Sequence, residues 1–312
     1  MPIPSPDRPL RLGTRQSPLA MAQAYEARRL LASAHGLAED SIEIVRVRAT
    51  GDKVQDRPLA EIGGKALWTK ELDLALLAGE IDFAVHSAKD VETVRPPEIA
   101  IAAVLEREDV RDVLIGAASI SALKPGAVVG TSAPRRAAQL LNARPDCSVV
   151  PIRGNVATRL AKVATGEVDA TFLAAAGLNR LGQRGTGRPL DPVDWLPAPA
   201  QAAIAIECRA DDTRTHALLG AIDHWRSHRA VLAERALLAA LGGNCHSPIA
   251  VLCELEDAGS IRMRATIFSP TGAHRRDGLA AVNDAADAAQ LARQLLDGAP
   301  EAIRENFSGA AA

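Results

Sequence analysis

Four arginines stand at two closely spaced strand-to-helix junctions, Thr131-Ser132-Ala133-Pro134-Arg135-Arg136 and Pro151-Ile152-Arg153-Gly154-Asn155-Val156-Ala157-Thr158-Arg159. Each junction follows an apolar run that reads as a buried strand. Arg135 and Arg136 fall in the first turn of the next helix, where the helix dipole already places partial positive charge and disfavours cations. Arginines beside free backbone N–H groups suit a negatively charged ligand, which guanidinium groups hold through paired, directional hydrogen bonds.

Other chemistry-bearing residues also fall at strand ends, where open α/β sheets bind their ligands. Arg15 and Ser17 follow the first strand, and His86, Ser87, Lys89 and Asp90 follow the strand 81–85. Arg180 comes after the helix that leaves strand 168–173. Arg28 and Arg29 read as solvated helix arginines, and Arg159 fits that description as well as a binding role. His86 reads as a satisfied core histidine. Asp90 is one carboxylate beside Lys89 in a cation-lined region. Such neighbours keep it ionised, which suits stabilising a developing positive charge or relaying a proton; a plain Asp–Lys surface pair is the alternative. Cys245 lies in Gly242-Gly243-Asn244-Cys245-His246-Ser247-Pro248, on a turn rather than in a core. A thiol so placed beside His246 could serve as a covalent attachment point. Cys147, Cys208 and Cys253 read as buried spacers.

The frame that must position these residues is an α/β one. The chain has 312 residues, 47% hydrophobic and 24% charged, enough for two or three domains with sizeable cores. Its 36 Lys+Arg against 38 Asp+Glu give a formal net charge of −2, so no global charge draws it to nucleic acid or an anionic membrane. The N-terminus lacks a signal-type apolar region, and no apolar run is long enough to span a bilayer. Four cysteines without C-x-x-C spacing argue against a disulfide framework or a zinc site, and no other metal site is expected. A cytoplasmic enzyme with reduced thiols is the expectation.

Short apolar runs alternate with helical periods. Strands are expected at 10–12, 42–48, 81–86 and 99–105, with helices at 17–34 and 68–78. The pattern then restarts, with strands at 113–116, 127–130, 148–152 and 168–173 and helices at 134–143, 155–164 and 174–181. This order implies mostly parallel sheets built from βαβ units. The polar, Gly-containing stretch 50–64 reads as a long functional loop. After His224 a helix at 227–241, strands at 249–255 and 261–268, and a final helix at 284–305 suggest a small α+β domain.

Together these segments resemble the porphobilinogen deaminase (hydroxymethylbilane synthase) family. The resemblance rests on Arg11–Ala20, Gly63-Gly64-Lys65, His86-Ser87-Ala88-Lys89-Asp90-Val91, Thr131–Arg136, Arg153–Leu160, Ala176-Gly177-Leu178-Asn179-Arg180-Leu181 and the turn around Cys245, in family order. It implies two periplasmic-binding-protein-like α/β domains, 9–105 with 200–221 and 106–199, with a cleft between them. A small α+β domain at 222–312 would carry the cofactor cysteine. It implies a transferase of tetrapyrrole and heme biosynthesis, which joins four porphobilinogen molecules head to tail with release of ammonia and frees hydroxymethylbilane. The implied cofactor is a dipyrromethane attached to Cys245 by a thioether. Asp90 is the implied catalytic carboxylate. Arg15, Ser17, Lys65, Lys89, Ser132, Arg135, Arg136, Arg153, Asn155, Arg159 and Arg180 are the implied cofactor- and substrate-binding residues, with the loop 50–64 as a lid. A monomer acting on a small molecule, with no nucleic acid or membrane partner, completes the implied picture.

The residue chemistry agrees with this, because each porphobilinogen brings an acetate and a propionate, and arginine binds carboxylates with fixed geometry. The chain departs from the family pattern at several points. Ala133 and Pro134 precede the two arginines where a serine and an apolar residue are usual. Ala200 and Ala202 stand in place of glycines, which alters the crossover if those positions need positive φ. Trp68 replaces a phenylalanine, and Glu61 a lysine. The rival from another class is a non-catalytic, two-lobed anion-binding protein of periplasmic-receptor type. It accounts for the arginines but not for Cys245 or the third domain. A phosphoryl-transfer enzyme is disfavoured by the absence of a G-x-x-x-x-G-K-[ST] loop.

Overall fold

The computed structural model describes residues 8–47, 69–256 and 259–307. Loop 50–64, with Glu61, and Lys65 and Trp68 beyond it lie outside the described residues. The described residues fall into two compact units, one drawn from 8–47, 69–108 and 203–228, the other from 109–202 and 229–307.

The first unit is built from β1 (Leu10–Arg15), α1 (Pro18–His35), β2 (Ile42–Val47), α2 (Lys70–Leu77), β3 (Phe83–Ser87), β4 (Ile99–Val104), β10 (Ile204–Arg209) and α6 (Thr213–Gly220). Its sheet has the order β2-β1-β3-β10-β4. Helix α1 starts where Ser17 caps the Ala20 N–H and Pro18 takes the first turn, and it stops where Gly36 turns left-handed at φ 63°. Its buried face, Ala24, Ala27 and Leu31, packs with Leu12, Phe83 and Ile204 of the sheet.

The second unit repeats this plan with β5 (Asp112–Ile115), β6 (Val128–Gly130), α3 (Pro134–Ala143), β7 (Ser148–Val150), α4 (Val156–Ala164), β8 (Ala170–Ala174), α5 (Ala175–Arg180) and β9 (Arg188–Pro189). Its order is β7-β6-β8-β5-β9. In both sheets one strand, β1 or β6, sits between its two successors, then an antiparallel strand follows, then an edge. β1 is parallel to β2 and β3, and β6 to β7 and β8, whereas β10 and β5 run antiparallel to both their neighbours. The sheets are therefore mixed, not mostly parallel. Each antiparallel strand follows directly on a point where the chain passes from one unit to the other, and so enters without the helical crossover that parallel neighbours need.

The second unit also holds α7 (Trp225–Ala240, which begins in the first unit), the antiparallel sheet β11 (Ile249–Leu255), β12 (Ile261–Phe268), β13 (Arg275–Val282), and α8 (Ala285–Leu296) and α9 (Glu301–Arg304). The single final helix expected at 284–305 is two. Asp297-Gly298-Ala299-Pro300 interrupts it, with Gly298 at φ 61° and Pro300 unable to continue the ladder. Ala138 of α3, Leu196, Ala250 and Leu252 of β11, and Phe268 share one core, which fastens this small sheet to the arginine-bearing helix. At Gly272, which follows β12, a Cβ would stand 2.5 Å from the Ala138 carbonyl oxygen and the Asn142 nitrogen, so only glycine permits this approach.

Candidate active site

Helix α3 begins at Pro134, which suits the first turn, and it forms although Ala133 supplies no side-chain cap. Arg135 and Arg136 are 4% and 5% exposed. The anion that meets them lies within the chain. Arg135 Nη1 donates to Asp112 Oδ2 at 2.7 Å and to the Leu196 carbonyl at 3.1 Å. Arg136 donates to Asp112 Oδ1 from Nε at 3.2 Å and from Nη2 at 2.7 Å, and from Nη1 to the Phe172 carbonyl at 2.9 Å. Trp195, stacked on Phe172 at 4.9 Å, adds an indole N–H to Asp112 Oδ2 at 2.9 Å. Burial alone would push the Asp112 carboxyl up, but the two guanidinium charges outweigh it and hold it far below the usual carboxylate range.

The first-turn arginines are thus explained in part by Asp112, which the sequence reading did not single out. The account is incomplete in charge, because two guanidinium groups face one carboxylate. Burial and the like charge of Arg136 pull the Arg135 guanidinium below its ordinary value despite Asp112. Arg135 Nε is buried with no acceptor among the described residues. Arg136 is largely consumed by its partners, so Arg135 is the member of the pair that retains capacity for a further anion. Asp112→Ala, which strands both cations in the interior, is expected to lower stability by about 3–5 kcal/mol, measured by urea denaturation.

The other binding residues expected in this unit follow strands β6 and β7, except Arg180, which closes the helix after β8. Ser132, after β6, donates its hydroxyl to the Ile152 carbonyl at 2.7 Å and so ties two strand ends together. Asn155 caps α4 by accepting the Thr158 N–H at 3.0 Å, which commits its side chain to the helix start. Arg159 folds back to the Gly154 carbonyl at 3.0 Å. Arg153 is half-buried on the connection between β7 and α4. Arg180 is the last residue of α5 and donates Nη1 to the Ala202 carbonyl at 3.2 Å.

In the first unit, Arg15 ends β1, and Lys89 and Asp90 lie on a single 3-10 turn (Ala88–Asp90) directly after β3. These strands are parallel neighbours, with Leu12 opposite Phe83, so the residues share one sheet edge. Ser17 is there too, with its hydroxyl engaged as the α1 cap. Asp90 is half-exposed and, among the described residues, its carboxylate has no ion-pair or hydrogen-bond partner. Other acids of the first unit are committed to arginines. Asp73 receives Arg95 at 2.6 Å, Glu207 receives Arg95 at 2.9 Å, and Asp82 receives Arg8 at 2.7 Å. His86 Nε2 lies 3.3 Å from Glu207 Oε2, which fits a core histidine. Burial by itself raises the Glu207 carboxyl, and His86 and Arg95 outweigh it and hold it low. Arg95 thereby anchors the segment leaving Asp90 onto β10 and α2. Glu207 was detectable as a charge inside an apolar strand run; its partners were not.

Cys245 is exposed, while Cys147, Cys208 and Cys253 are buried, and none forms a disulfide. Its turn is built by neighbours. Asn244 Oδ1 accepts the His246 N–H at 2.8 Å, and Ser247 Oγ accepts the Asn244 N–H at 3.0 Å. A Cβ on Gly243 would meet Leu238 Cδ1 at 2.7 Å, so the turn sits tightly on the end of α7. Ala200 and Ala202 do adopt positive φ, 58° and 72°, where an L-residue is strained by about 1–2 kcal/mol. Among the described residues no cluster of His, Cys, Asp and Glu could hold a metal, and no helix is long and apolar enough to cross a membrane.

Comparisons with known proteins identify the family. Residues 10–217 match the family model described as porphobilinogen deaminase, dipyromethane cofactor binding domain, and residues 228–298 match that of the porphobilinogen deaminase C-terminal domain. The chain is 57% identical to the porphobilinogen deaminase of Sphingopyxis alaskensis over 98% of its own length and 99% of the relative's. It is 51% identical to that of Paracoccus denitrificans, over 96% and 97% respectively. Among solved structures it is similar to the methionine binding protein MetQ at a TM-score of 0.43 and 12% identity, covering 70% of this chain and 92% of that one. With both family models matched in order along one chain, and near-complete relatives at this identity, the chain belongs to the porphobilinogen deaminase family.

Proposed function

We propose that this chain condenses four porphobilinogen molecules head to tail, with loss of ammonia at each step, on a dipyrromethane held by a thioether to Cys245, and then releases hydroxymethylbilane by hydrolysis. The observation that carries the reading is the exposure of Cys245 on a rigid turn, in the same compact unit as an arginine pair with one uncompensated positive charge. A carboxylate-bearing group fits that pair, because Arg135 Nε is a buried donor that lacks an acceptor among the described residues. When bound, the dipyrromethane supplies a pyrrole with a free α-carbon from which the chain grows.

The residues then divide the work. Cys245 anchors the chain through a thioether formed from its thiolate. Arg135, backed by Arg136 and Asp112, binds a carboxylate in the interior. Arg153, Arg159 and Arg180 bind acetate and propionate groups, and Ser132 and Asn155 hold the segments that carry Arg153 and Arg159. Arg15, Ser17 and Lys89 serve the edge of the first unit, with Lys65 as a further cation and 50–64 as the lid that excludes water. Asp90, which has no ion-pair partner among the described residues, accepts pyrrole N–H bonds and stabilises positive charge at the ring nitrogens. We read the chain as three domains, 9–105 with 200–221, 106–199 and 222–312, and as a monomer. Four cysteines that form no disulfide fit a reducing compartment such as the cytoplasm.

The test is stoichiometry. Purified protein supplied with porphobilinogen is expected to release four ammonia for each linear tetrapyrrole. Binding of porphobilinogen without ammonia release would overturn this reading in favour of a two-lobed anion receptor.

A further inference from the structure

We infer that Gln201 is a positioning residue for Arg135, chosen by its chemistry to orient that guanidinium without neutralising it. Gln201 is fully buried. Its Oε1 accepts from Arg135 Nη2 at 3.3 Å, while its Nε2 donates to the Val110 carbonyl at 2.7 Å and to Asp112 Oδ1 at 3.0 Å. The amide can face only this way, because a flip would aim its N–H groups at a cation and its oxygen at two acceptors. One neutral side chain thus bridges Arg135 and its counter-ion.

The backbone holds Gln201 there under strain. Ala200 and Ala202, on either side, have φ of 58° and 72°. Such conformations persist only where the surroundings over-determine them. Here the Ala200 N–H is taken by Glu234 Oε2 at 2.6 Å, and the other oxygen of Glu234 accepts the Cys253 N–H at 2.9 Å. The Ala202 carbonyl is taken by Arg180 at 3.2 Å. The clasp therefore runs from β11, in the sheet that follows Cys245, through Glu234 and Ala200 to Gln201 and Arg135. A glutamate at 201 would also accept from Arg135 but would bring the cluster of two arginines and Asp112 to zero net charge. Glutamine leaves one positive charge for the ligand.

This inference rests on the reading that Arg135 binds a carboxylate of the cofactor or substrate. It is tested with full-length Gln201→Met and Gln201→Glu by three measurements: the fraction of chains carrying the mass of one dipyrromethane, KM against kcat per loaded chain, and thermal midpoint. Gln201→Met is expected to lower the loaded fraction and to raise KM for porphobilinogen by about 10-fold or more, with a smaller change in kcat. Gln201→Glu is expected to raise KM increasingly as pH rises, because the new carboxyl ionises and cancels the spare charge. Unchanged KM at every pH for loaded chains of both variants, with only the thermal midpoint lowered, would assign Gln201 a purely structural role and overturn the inference. A wild-type chain that neither carries the added mass nor consumes porphobilinogen would instead sink the functional reading, and this inference with it.

Discussion

Cys245→Ser is expected to yield a folded chain with the mass of its sequence alone and no measurable turnover of porphobilinogen. The thiolate is the attacking species in thioether formation, and a serine hydroxyl does not ionise in the same range. Because Cys245 is exposed on its turn, the exchange of sulfur for oxygen should move stability by no more than about 0.5 kcal/mol. Intact-mass measurement beside a thermal melt checks both halves. The remaining thiols are poor substitutes. Burial pushes Cys208 up to about 11 and also raises Cys147, so neither offers thiolate at neutral pH. An added mass that persists in the Cys245→Ser chain would move the attachment point elsewhere.

Asp90→Ala is expected to separate loading from chemistry: the chain still carries the added mass, but turnover falls by about 10²–10⁴-fold. The magnitude follows from removing a carboxylate placed against developing positive charge. The fold should be indifferent, because Asp90 is half-exposed and supports no internal ion pair among the described residues, unlike Asp73, Asp82 and Glu207. Near-normal turnover, measured per loaded chain, would remove Asp90 from the mechanism. A large fall in the thermal midpoint would instead recast it as a structural acid.

Much of the framework was legible in the residues. Helix α3 occupies Pro134–Ala143, and β11 and β12 occupy Ile249–Leu255 and Ile261–Phe268, all at their expected bounds. Periodicity and proline or glycine punctuation are local signals, and these segments carry them cleanly. Helix α6 and strands β9 and β13 were not anticipated individually. β9 is two residues long, and β13 carries Arg275, Arg276 and Asp277, whose charges mask a strand that buries one side only. The long terminal helix was overextended because its alanines outweighed Gly298 and Pro300 in the pattern.

At the site, the division is between position along the chain and partnership across it. Strand ends place Arg15, Lys89, Asp90, Ser132 and Arg153 at the carboxyl ends of their sheets, and the glycines and proline around it mark the turn that carries Cys245. Those follow from alternation, capping and turn chemistry, which act over a few residues. What the sequence did not reveal is that Asp112 receives Arg135 and Arg136, that Gln201 bridges them, and that Glu207 gathers His86 and Arg95. Nor did it decide that Ala200 and Ala202 would take the left-handed conformation that suits glycine. Each of these depends on groups brought together from distant parts of the chain. There, burial makes an uncompensated charge so unfavourable that its partner must be found, and no local pattern says where that partner lies.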